Sequence, residues 1–228
     1  MSRLSNTMIA NRTRRNLLQV AASFCAMSAF SPLRVALAQS LLRTPDQILG
    51  PFYPRAKTAD QSGDLTHLPG RAERAAGQIL NVMGRVLNIN GDPVSGAAIE
   101  IWQANSFGRY THLADHNPAP LDPNFDGFEV LKTGADGHYR FKTIKPGAYP
   151  VSSSEMRPPH IHFRMVGHHD ELVTQMYFEG EPLNDKDRFL ESAGWVDREL
   201  LIARLLPPTP DLEPNSRLVM FDIVTLVG

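Results

Sequence analysis

The sequence of 228 residues has almost no cysteine and no excess of charge of either sign. Its single cysteine, Cys25, has no second cysteine to pair with, which excludes a small fold held together by internal disulfides. The formal net charge is −1, which excludes the strongly basic composition of a nucleic-acid-binding domain. Hydrophobic residues make up 42% and charged residues 21%, so we expect an ordinary globular domain with one core and no nucleic-acid partner.

The sequence also lacks an apolar run as long as a typical transmembrane helix. Its longest apolar stretch, residues 17–30, follows Arg14-Arg15 and precedes Ala36-Leu37-Ala38, which is a cleavage site of the A-x-A kind. Two adjacent arginines before a polar residue and two leucines resemble a twin-arginine signal. We therefore expect residues 1–38 to be a cleaved export signal and residues 39–228 to be a periplasmic or secreted domain without a membrane span. A general secretory signal and an uncleaved amphipathic anchor are the alternatives.

From residue 44 onward, short apolar runs alternate with turn residues, a pattern that indicates strands rather than long helices. An Asn-Gly turn signal lies within 88–93, and one short helix or irregular segment is expected at 185–190. Residues 106–131 carry few strand signals and are expected to form a long loop of the functional kind. The sequence thus predicts an all-β fold, a β-sandwich of mainly antiparallel strands with long active-site loops. The predicted strands are 78–87, 97–103, 138–144, 160–166, 172–178 and 217–224.

The motif His160-Ile161-His162 is the first sign of chemistry, because residues i and i+2 of a strand point to the same face. The two imidazoles would project side by side, as a shared metal ion requires. An H-x-H motif also arises by chance, and one histidine of such a pair can simply satisfy a buried hydrogen bond.

Two tyrosines lie beside glycine or proline, where the backbone fixes the direction of the side chain. Tyr110 follows Gly108-Arg109, and Tyr149 is flanked by Ala148 and Pro150. A phenol has a pKa near 10, so only a strongly Lewis-acidic ion such as Fe(III) would bind it as phenolate at neutral pH. The alternative for each tyrosine is a core or interface aromatic.

Seven short motifs follow one another between residues 50 and 183. They read GPFYP from Gly50, EIWQAN from Glu100, GRY from Gly108, APLDPNF from Ala119, PGAYP from Pro146, RPPHIHF from Arg157 and TQMYF from Thr174. In this order they resemble the intradiol ring-cleavage dioxygenase family, with the greatest likeness to the iron-bearing β subunits of its protocatechuate 3,4-dioxygenase group.

The resemblance implies a non-haem Fe(III) bound by four residues, Tyr110, Tyr149, His160 and His162, together with a solvent hydroxide. It implies a catecholic substrate and O2, and ring opening between the two hydroxylated carbons to a cis,cis-muconate-type product. In the family the second tyrosine, here Tyr149, leaves the iron and helps to take up a substrate proton. Two phenolates and a hydroxide balance the charge of the ion, and a catecholate dianion that replaces ligands keeps that balance.

Two further residues take their expected roles from the same resemblance. Arg157 matches an arginine that supports the site and stabilises developing negative charge, and Gln175 matches a glutamine that orients intermediates. The segment after Tyr149 departs from the protocatechuate pattern, since Val151 stands where an aromatic is usual. The run Asp185-Lys186-Asp187-Arg188 is interpreted as a solvated face.

The expected assembly and the expected function each have alternatives. We expect a homo-oligomer, and a related second subunit that completes the pocket stays open as an alternative. A non-catalytic β-sandwich binding module that kept the fold is the alternative function. A different metalloenzyme with a copper or zinc H-x-H site is the third hypothesis.

Overall fold

The computed structural model describes residues 40–55 and 62–227, so the predicted export signal at 1–38 lies outside the described residues. Within these ranges no helix is long and apolar enough to cross a membrane. Short helical turns are the 3-10 helices Asn184–Lys186 and Arg198–Leu201 and the α-helices α1 (Arg188–Glu191) and α2 (Gly194–Asp197). The strands are β1 (Ile79–Asn88), β2 (Ala98–Trp102), β3 (Phe128–Lys132), β4 (His138–Ile144), β5 (Tyr149–Pro150), β6 (Met156–Arg157), β7 (His160–Val166), β8 (Glu171–Phe178), β9 (Ile202–Ala203), β10 (Arg217–Met220) and β11 (Ile223–Thr225).

These strands form two larger sheets and one short hairpin. In the first sheet, β1 pairs antiparallel with β4 and parallel with β10 and β11. In the second sheet the order is β3-β2-β7-β8-β9, and each pair except β8 with β9 is antiparallel. The hairpin consists of β5 and β6. The predicted all-β sandwich of mainly antiparallel strands is therefore confirmed.

The core lies between the two sheets and is filled by alternate residues of their strands. Ile161 and Phe163 of β7 are fully buried there with Leu80 and Val82 of β1. Because successive side chains of a strand point to opposite faces, the histidines of β7 project from the other side of the five-stranded sheet. The core thus fixes the strand that carries the H-x-H motif.

The predicted strand at 217–224 is wrong in one respect, because it is two strands. Phe221 and Asp222 interrupt it: the Phe221 N–H donates to the Met83 carbonyl at 2.9 Å, and the Asp222 carboxylate accepts the Arg85 N–H at 2.8 Å. The side chain of Asp222 thus takes the place of a backbone partner, and the ladder resumes with β11.

The other boundary differences lie in the segments predicted as a loop and as a helix. The long loop ends at Phe128 rather than at 131, because Phe128–Lys132 pairs along its whole length with β2. The short helix or irregular segment expected at 185–190 is a 3-10 turn followed by α1, and the Asp187 carboxylate accepts N–H groups at the start of α1.

We predict that Gly84→Ala strongly destabilises the sandwich, because a Cβ on Gly84 would lie 1.9 Å from the Phe221 carbonyl oxygen. A steric conflict with backbone cannot relax by a rotamer change, so the free energy of unfolding should fall by at least about 3 kcal/mol. Gly91→Ala is the control, since Gly91 has a φ of 86° but open space around it and should lose about 1–2 kcal/mol. Urea denaturation compares them, and equal losses would contradict the account.

Candidate functional site

The two histidines of the H-x-H motif lie on the outer face of the five-stranded sheet, and both are 2% exposed. Ile161 between them points into the core, as predicted. The strand register sets Trp102 of β2 and Gln175 of β8 on either side of His162. The Trp102 ring stacks on the His162 ring, with centroids 4.7 Å apart and planes 9° apart, so the imidazole is held in one orientation.

The two histidines bring their Nε2 atoms close together. His160 Nδ1 lies 2.7 Å from the Pro158 carbonyl oxygen and must donate to it, which leaves a lone pair on His160 Nε2. The two Nε2 atoms are 3.2 Å apart. Burial, and then the charge of Arg157, lowers the pKa of His160 and of His162 well below the ordinary value. Both are therefore neutral imidazoles, the form that binds a metal ion.

Tyr110 is positioned by the loop that follows β2. The Asp115 carboxylate accepts the Tyr110 N–H at 2.7 Å. The side-chain oxygen of Asn105 accepts the N–H groups of Phe107 and Arg109 at 2.9 and 3.0 Å. Both acceptors are buried, so this loop has a fixed shape although it contains no strand or helix.

The Tyr110 loop touches the backbone next to Tyr149 at Gly108. A Cβ at Gly108, whose φ is 80°, would lie 2.1 Å from the carbonyl oxygen of Ala148. Only glycine allows this approach of one backbone to the other. The two tyrosines are thus positioned relative to each other by a direct contact between their segments.

The four predicted ligand residues come together as a ring of side chains. The Tyr110 and Tyr149 rings are 5.4 Å apart at 89°, and Tyr149 lies 5.6 Å from His160. The His160 and His162 rings are 4.8 Å apart, and Tyr110 lies 6.4 Å from His162. Each side chain therefore has two of the others as neighbours.

The Tyr110 hydroxyl is buried and has no hydrogen-bond partner among residues 40–55 and 62–227. Burial first, and then the neighbouring Tyr149, raises the pKa of Tyr110 well above its ordinary value. Burial also raises the pKa of Tyr149, while the charge of Arg157 acts in the opposite direction. A buried polar atom without a partner costs about 1–3 kcal/mol, so a group bound beside this hydroxyl would remove that cost.

Arg157 is buried beside this ring of side chains and makes a dense set of contacts. Its Nε and one terminal nitrogen bind the Asp187 carboxylate at 2.7 and 3.2 Å. The same terminal nitrogen donates to the Gln175 side-chain oxygen at 2.9 Å and to the Tyr177 hydroxyl at 2.7 Å. Burial acts to lower the pKa of Arg157, but Tyr177 and Asp187 outweigh it and hold this pKa raised. The guanidinium is therefore a permanent positive charge next to Tyr149.

The position of Asp187 shows that the interpretation of residues 185–188 as a solvated face is wrong for this residue. Asp187 is also the residue of the site that the sequence did not reveal. The run that contains it was expected to be a solvated face, and Asp185 is indeed exposed, but Asp187 is 3% exposed. One carboxylate both binds Arg157 and accepts the N–H groups of Phe189 and Leu190 at the start of α1. An aspartate directly before a helical turn was the signal that could have revealed it.

The segment before β1 also contributes to the site, which the sequence did not predict. Gln175 donates from its side-chain nitrogen to the Ile48 carbonyl at 2.9 Å. A Cβ at Gly50 would lie 3.2 Å from Cε1 of His162, so the chain crosses close to the imidazole. Phe52 then lies 4.6 Å from the Tyr110 ring.

A cavity of about 570 Å³ opens beside Tyr149 and Arg157. Its wall is largely apolar and includes Ile48, Phe52, Val151, Arg188 and Phe189. A concave, mostly apolar space with a few converging polar groups is typical of a small-molecule site.

The donor atoms of the four side chains suit a metal ion. Two nitrogens 3.2 Å apart fit two metal–nitrogen bonds of about 2.1 Å that meet at roughly 100°. Within the described residues no group of three or more His, Cys, Asp and Glu side chains could hold a metal, so a metal ion bound by these two histidines would need the phenol oxygens as its further protein donors. A bound cation lowers the pKa of a phenol, and this would supply the partner that the Tyr110 hydroxyl lacks.

Comparison with known proteins gives a consistent result over nearly the whole described chain. A protein-family model described as "Dioxygenase" matches residues 48–226. The chain is 42% identical over 178 residues to the protocatechuate 3,4-dioxygenase beta chain of Burkholderia cepacia, a match that covers 76% of this chain and 75% of that protein. It is 34% identical over 189 residues to catechol 1,2-dioxygenase 1 of Acinetobacter lwoffii, covering 77% of this chain and 56% of that protein.

Among solved structures, the chain resembles the dioxygenase domain of a dioxygenase–carbohydrate-binding protein fusion from Streptomyces sp. SirexAA-E. The TM-score is 0.61 at 28% identity, and the match covers 82% of this chain and 100% of that domain.

We predict that Asp187→Asn destabilises the protein, because it leaves the buried Arg157 guanidinium without its carboxylate. Removing one partner of a buried pair costs about 3–5 kcal/mol, and both side chains here are at most 3% exposed. Asp185→Asn is the matched control, since the carboxylate of Asp185 binds Arg198 at 2.9 Å but is 84% exposed, and its loss should cost about 0–1 kcal/mol. Thermal and urea denaturation measure both, and an Asp187→Asn protein as stable as the control would refute the role given to this pair.

Proposed function

Because the chain belongs to the intradiol ring-cleavage dioxygenase family, we propose that it uses non-haem Fe(III) and O2 to open a catecholic ring between its two hydroxylated carbons. The product is a cis,cis-muconate-type diacid. The observation that carries the proposal is the buried ring of four side chains, in which the Tyr110 hydroxyl has no partner among the described residues. A non-catalytic binding module gives no reason for such a set.

In this proposal Tyr110, Tyr149, His160 and His162 hold the ion. His160 is oriented for this by its bond to Pro158, and His162 by the stacked Trp102 ring. Fe(III) suits the set better than Zn(II) does, because zinc prefers nitrogen and sulfur donors whereas a hard trivalent ion favours phenolate. When bound, the iron makes the catecholate reactive towards O2.

The protein residues prepare the substrate for this chemistry. Tyr149 faces the cavity; with the ion bound it would be a phenolate, and in the proposal this phenolate oxygen takes a proton from the incoming catechol. The Arg157 charge lies beside it and stabilises negative charge that develops on the ring oxygens. Gln175 is held between Arg157 and the Ile48 carbonyl, so its amide has one fixed orientation towards the site. The apolar part of the cavity wall gives the ring a surface to pack against.

We predict that Tyr110→Phe and His162→Ala each lose bound iron and ring cleavage together, because each variant lacks one donor of the set. The purified wild-type protein should be burgundy-red from tyrosinate-to-iron charge transfer, and the colour should fade in both variants. Tyr139→Phe is the matched control, since Tyr139 is an equally buried tyrosine in the core between the sheets. Iron content, visible absorption and O2 uptake with a catechol panel are the measurements.

Three outcomes of that experiment would contradict the proposal. A colourless wild-type protein with full zinc occupancy would contradict the metal, and retained O2 uptake in both variants would contradict the ligands. A yellow semialdehyde product would contradict cleavage between the hydroxylated carbons.

We also propose that residues 1–38 are a cleaved twin-arginine signal and that the enzyme works in the periplasm or outside the cell. This rests on Arg14-Arg15, the apolar stretch at 17–30 and the Ala36-Leu37-Ala38 site. Twin-arginine export carries folded proteins, which suits a domain that takes up its metal before it crosses the membrane.

We predict that replacing Arg14 and Arg15 by lysine stops export, because the twin-arginine pathway reads the arginine pair rather than positive charge alone. Cell fractionation and N-terminal sequencing of the exported protein measure this. Unchanged export would favour the general secretory route, and an intact N-terminus on the exported protein would contradict cleavage after Ala38.

For the assembly we propose a homo-oligomer. The cavity is lined by several segments of this one chain, including residues near 48, 116, 151 and 189, which argues against a second, related chain as part of its wall. The relative from Burkholderia cepacia is named as one chain of an enzyme. Light scattering of the purified chain tests this, and activity only after addition of a second, related chain would contradict it.

A further inference from the structure

The cavity beside Tyr149 is larger than a single catechol ring requires. Its volume of about 570 Å³ lies within the range of roughly 300–1,000 Å³ that is typical of sites for drug-sized ligands. Beyond Tyr149 and Arg157 the wall continues along Val151 and Phe189. There is room for a side chain on the substrate ring.

The charged groups of this cavity differ in how many of their polar atoms already have a partner within the protein. The two carboxylate oxygens of Asp115 accept the N–H groups of Tyr110 and Asn117 at 2.7 and 2.8 Å. Arg157 is buried and bound to Asp187. The side chain of Arg188, in contrast, is 63% exposed at the outer part of the wall. Arg188 is therefore the charge that an incoming anion can reach.

Contacts on two sides orient the Arg188 side chain without using all of its donors. Its Nε binds the Glu155 carboxylate at 3.1 Å, and its guanidinium lies 4.7 Å from the centre of the Phe189 ring. The terminal nitrogens of a guanidinium carry four further N–H donors, and these can bind a carboxylate in a bidentate manner.

Phe189 separates Arg188 from the centre of the site. Its ring contacts the guanidinium of Arg157 at 4.6 Å and that of Arg188 at 4.7 Å. Arg157 marks the reacting end of the cavity, because it lies beside Tyr149. A substrate anion that binds Arg188 must therefore stand on a side chain that extends from the catechol past the Phe189 ring.

We propose that Arg188 selects catechols whose carboxylate is carried on a short side chain, as in 3-(3,4-dihydroxyphenyl)propanoate, over catechols in which that end is neutral. The apolar wall at Phe189 and Val151 packs against the side chain, and the terminal nitrogens of Arg188 bind the carboxylate. Glu155 holds the arginine in place. This assignment rests on the proposed ring-cleavage function and adds the class of substrate.

The test compares kcat/KM for 3-(3,4-dihydroxyphenyl)propanoate with kcat/KM for its methyl ester, which has the same ring and arm without the charge. The wild-type enzyme should prefer the acid by about tenfold, the lower end for a hydrogen bond to a charged group. Arg188→Gln should reduce this preference to near one by lowering kcat/KM for the acid, with the ester as the uncharged reference. Arg204→Gln is the matched control, since Arg204 binds Glu179 through Nε at the same 3.1 Å, is 74% exposed and does not line the cavity.

A binding measurement separates recognition from turnover. Calorimetric titration with 3-phenylpropanoate, which has no hydroxyl groups, should show about tenfold weaker binding to Arg188→Gln than to the wild-type protein and to Arg204→Gln. Equal kcat/KM for acid and ester in the wild-type enzyme, or a preference that survives in Arg188→Gln, would overturn the assignment while ring cleavage stands. No cleavage of any catechol by the iron-loaded wild-type enzyme would overturn the proposed function and this assignment with it.

Discussion

The alternation of side chains along β7 is the constraint on which the site depends. Ile161 and Phe163 are fully buried between the sheets, so β7 cannot shift by one residue without moving both into the opposite face. The same constraint sends His160 and His162 to the outer face, side by side. Packing of the sandwich core thus aligns two imidazoles that lie on the other face of the sheet.

Irregular segments bring the other side chains of the site to these histidines. Polar contacts set the shape of these segments. Asp115 and Asn105 hold the Tyr110 loop, and Gly108 brings it against the backbone beside Tyr149. The Arg157–Asp187 pair then ties the β5–β6 hairpin to α1. One buried charge pair therefore connects the reacting end of the cavity with the wall that carries Phe189 and Arg188.

Much of this could be predicted from the sequence, since the determining signals are local. Alternating apolar residues located the main strands, and the H-x-H motif with two tyrosines beside glycine and proline marked the four side chains that come together. The position of Asp187 before a helical turn has a signal in the sequence, but its pairing with Arg157 could not be predicted, because only the tertiary fold places Arg157 opposite it. The crossing of residues 48–52 over His162 and Tyr110 likewise depends on contacts distant in sequence. The break at Phe221 arises from a side-chain bond between Asp222 and β1, which has no periodic signal.

The central claim is that two tyrosines and two histidines hold one ferric ion on the outer face of the five-stranded sheet. Anomalous diffraction at the iron absorption edge, on crystals of the protein purified with its metal, tests this most directly. The account predicts a single iron peak within bonding distance of the Tyr110 and Tyr149 hydroxyl oxygens and of Nε2 of His160 and His162. A peak elsewhere, or a peak at this position that appears only at the zinc edge, would contradict it.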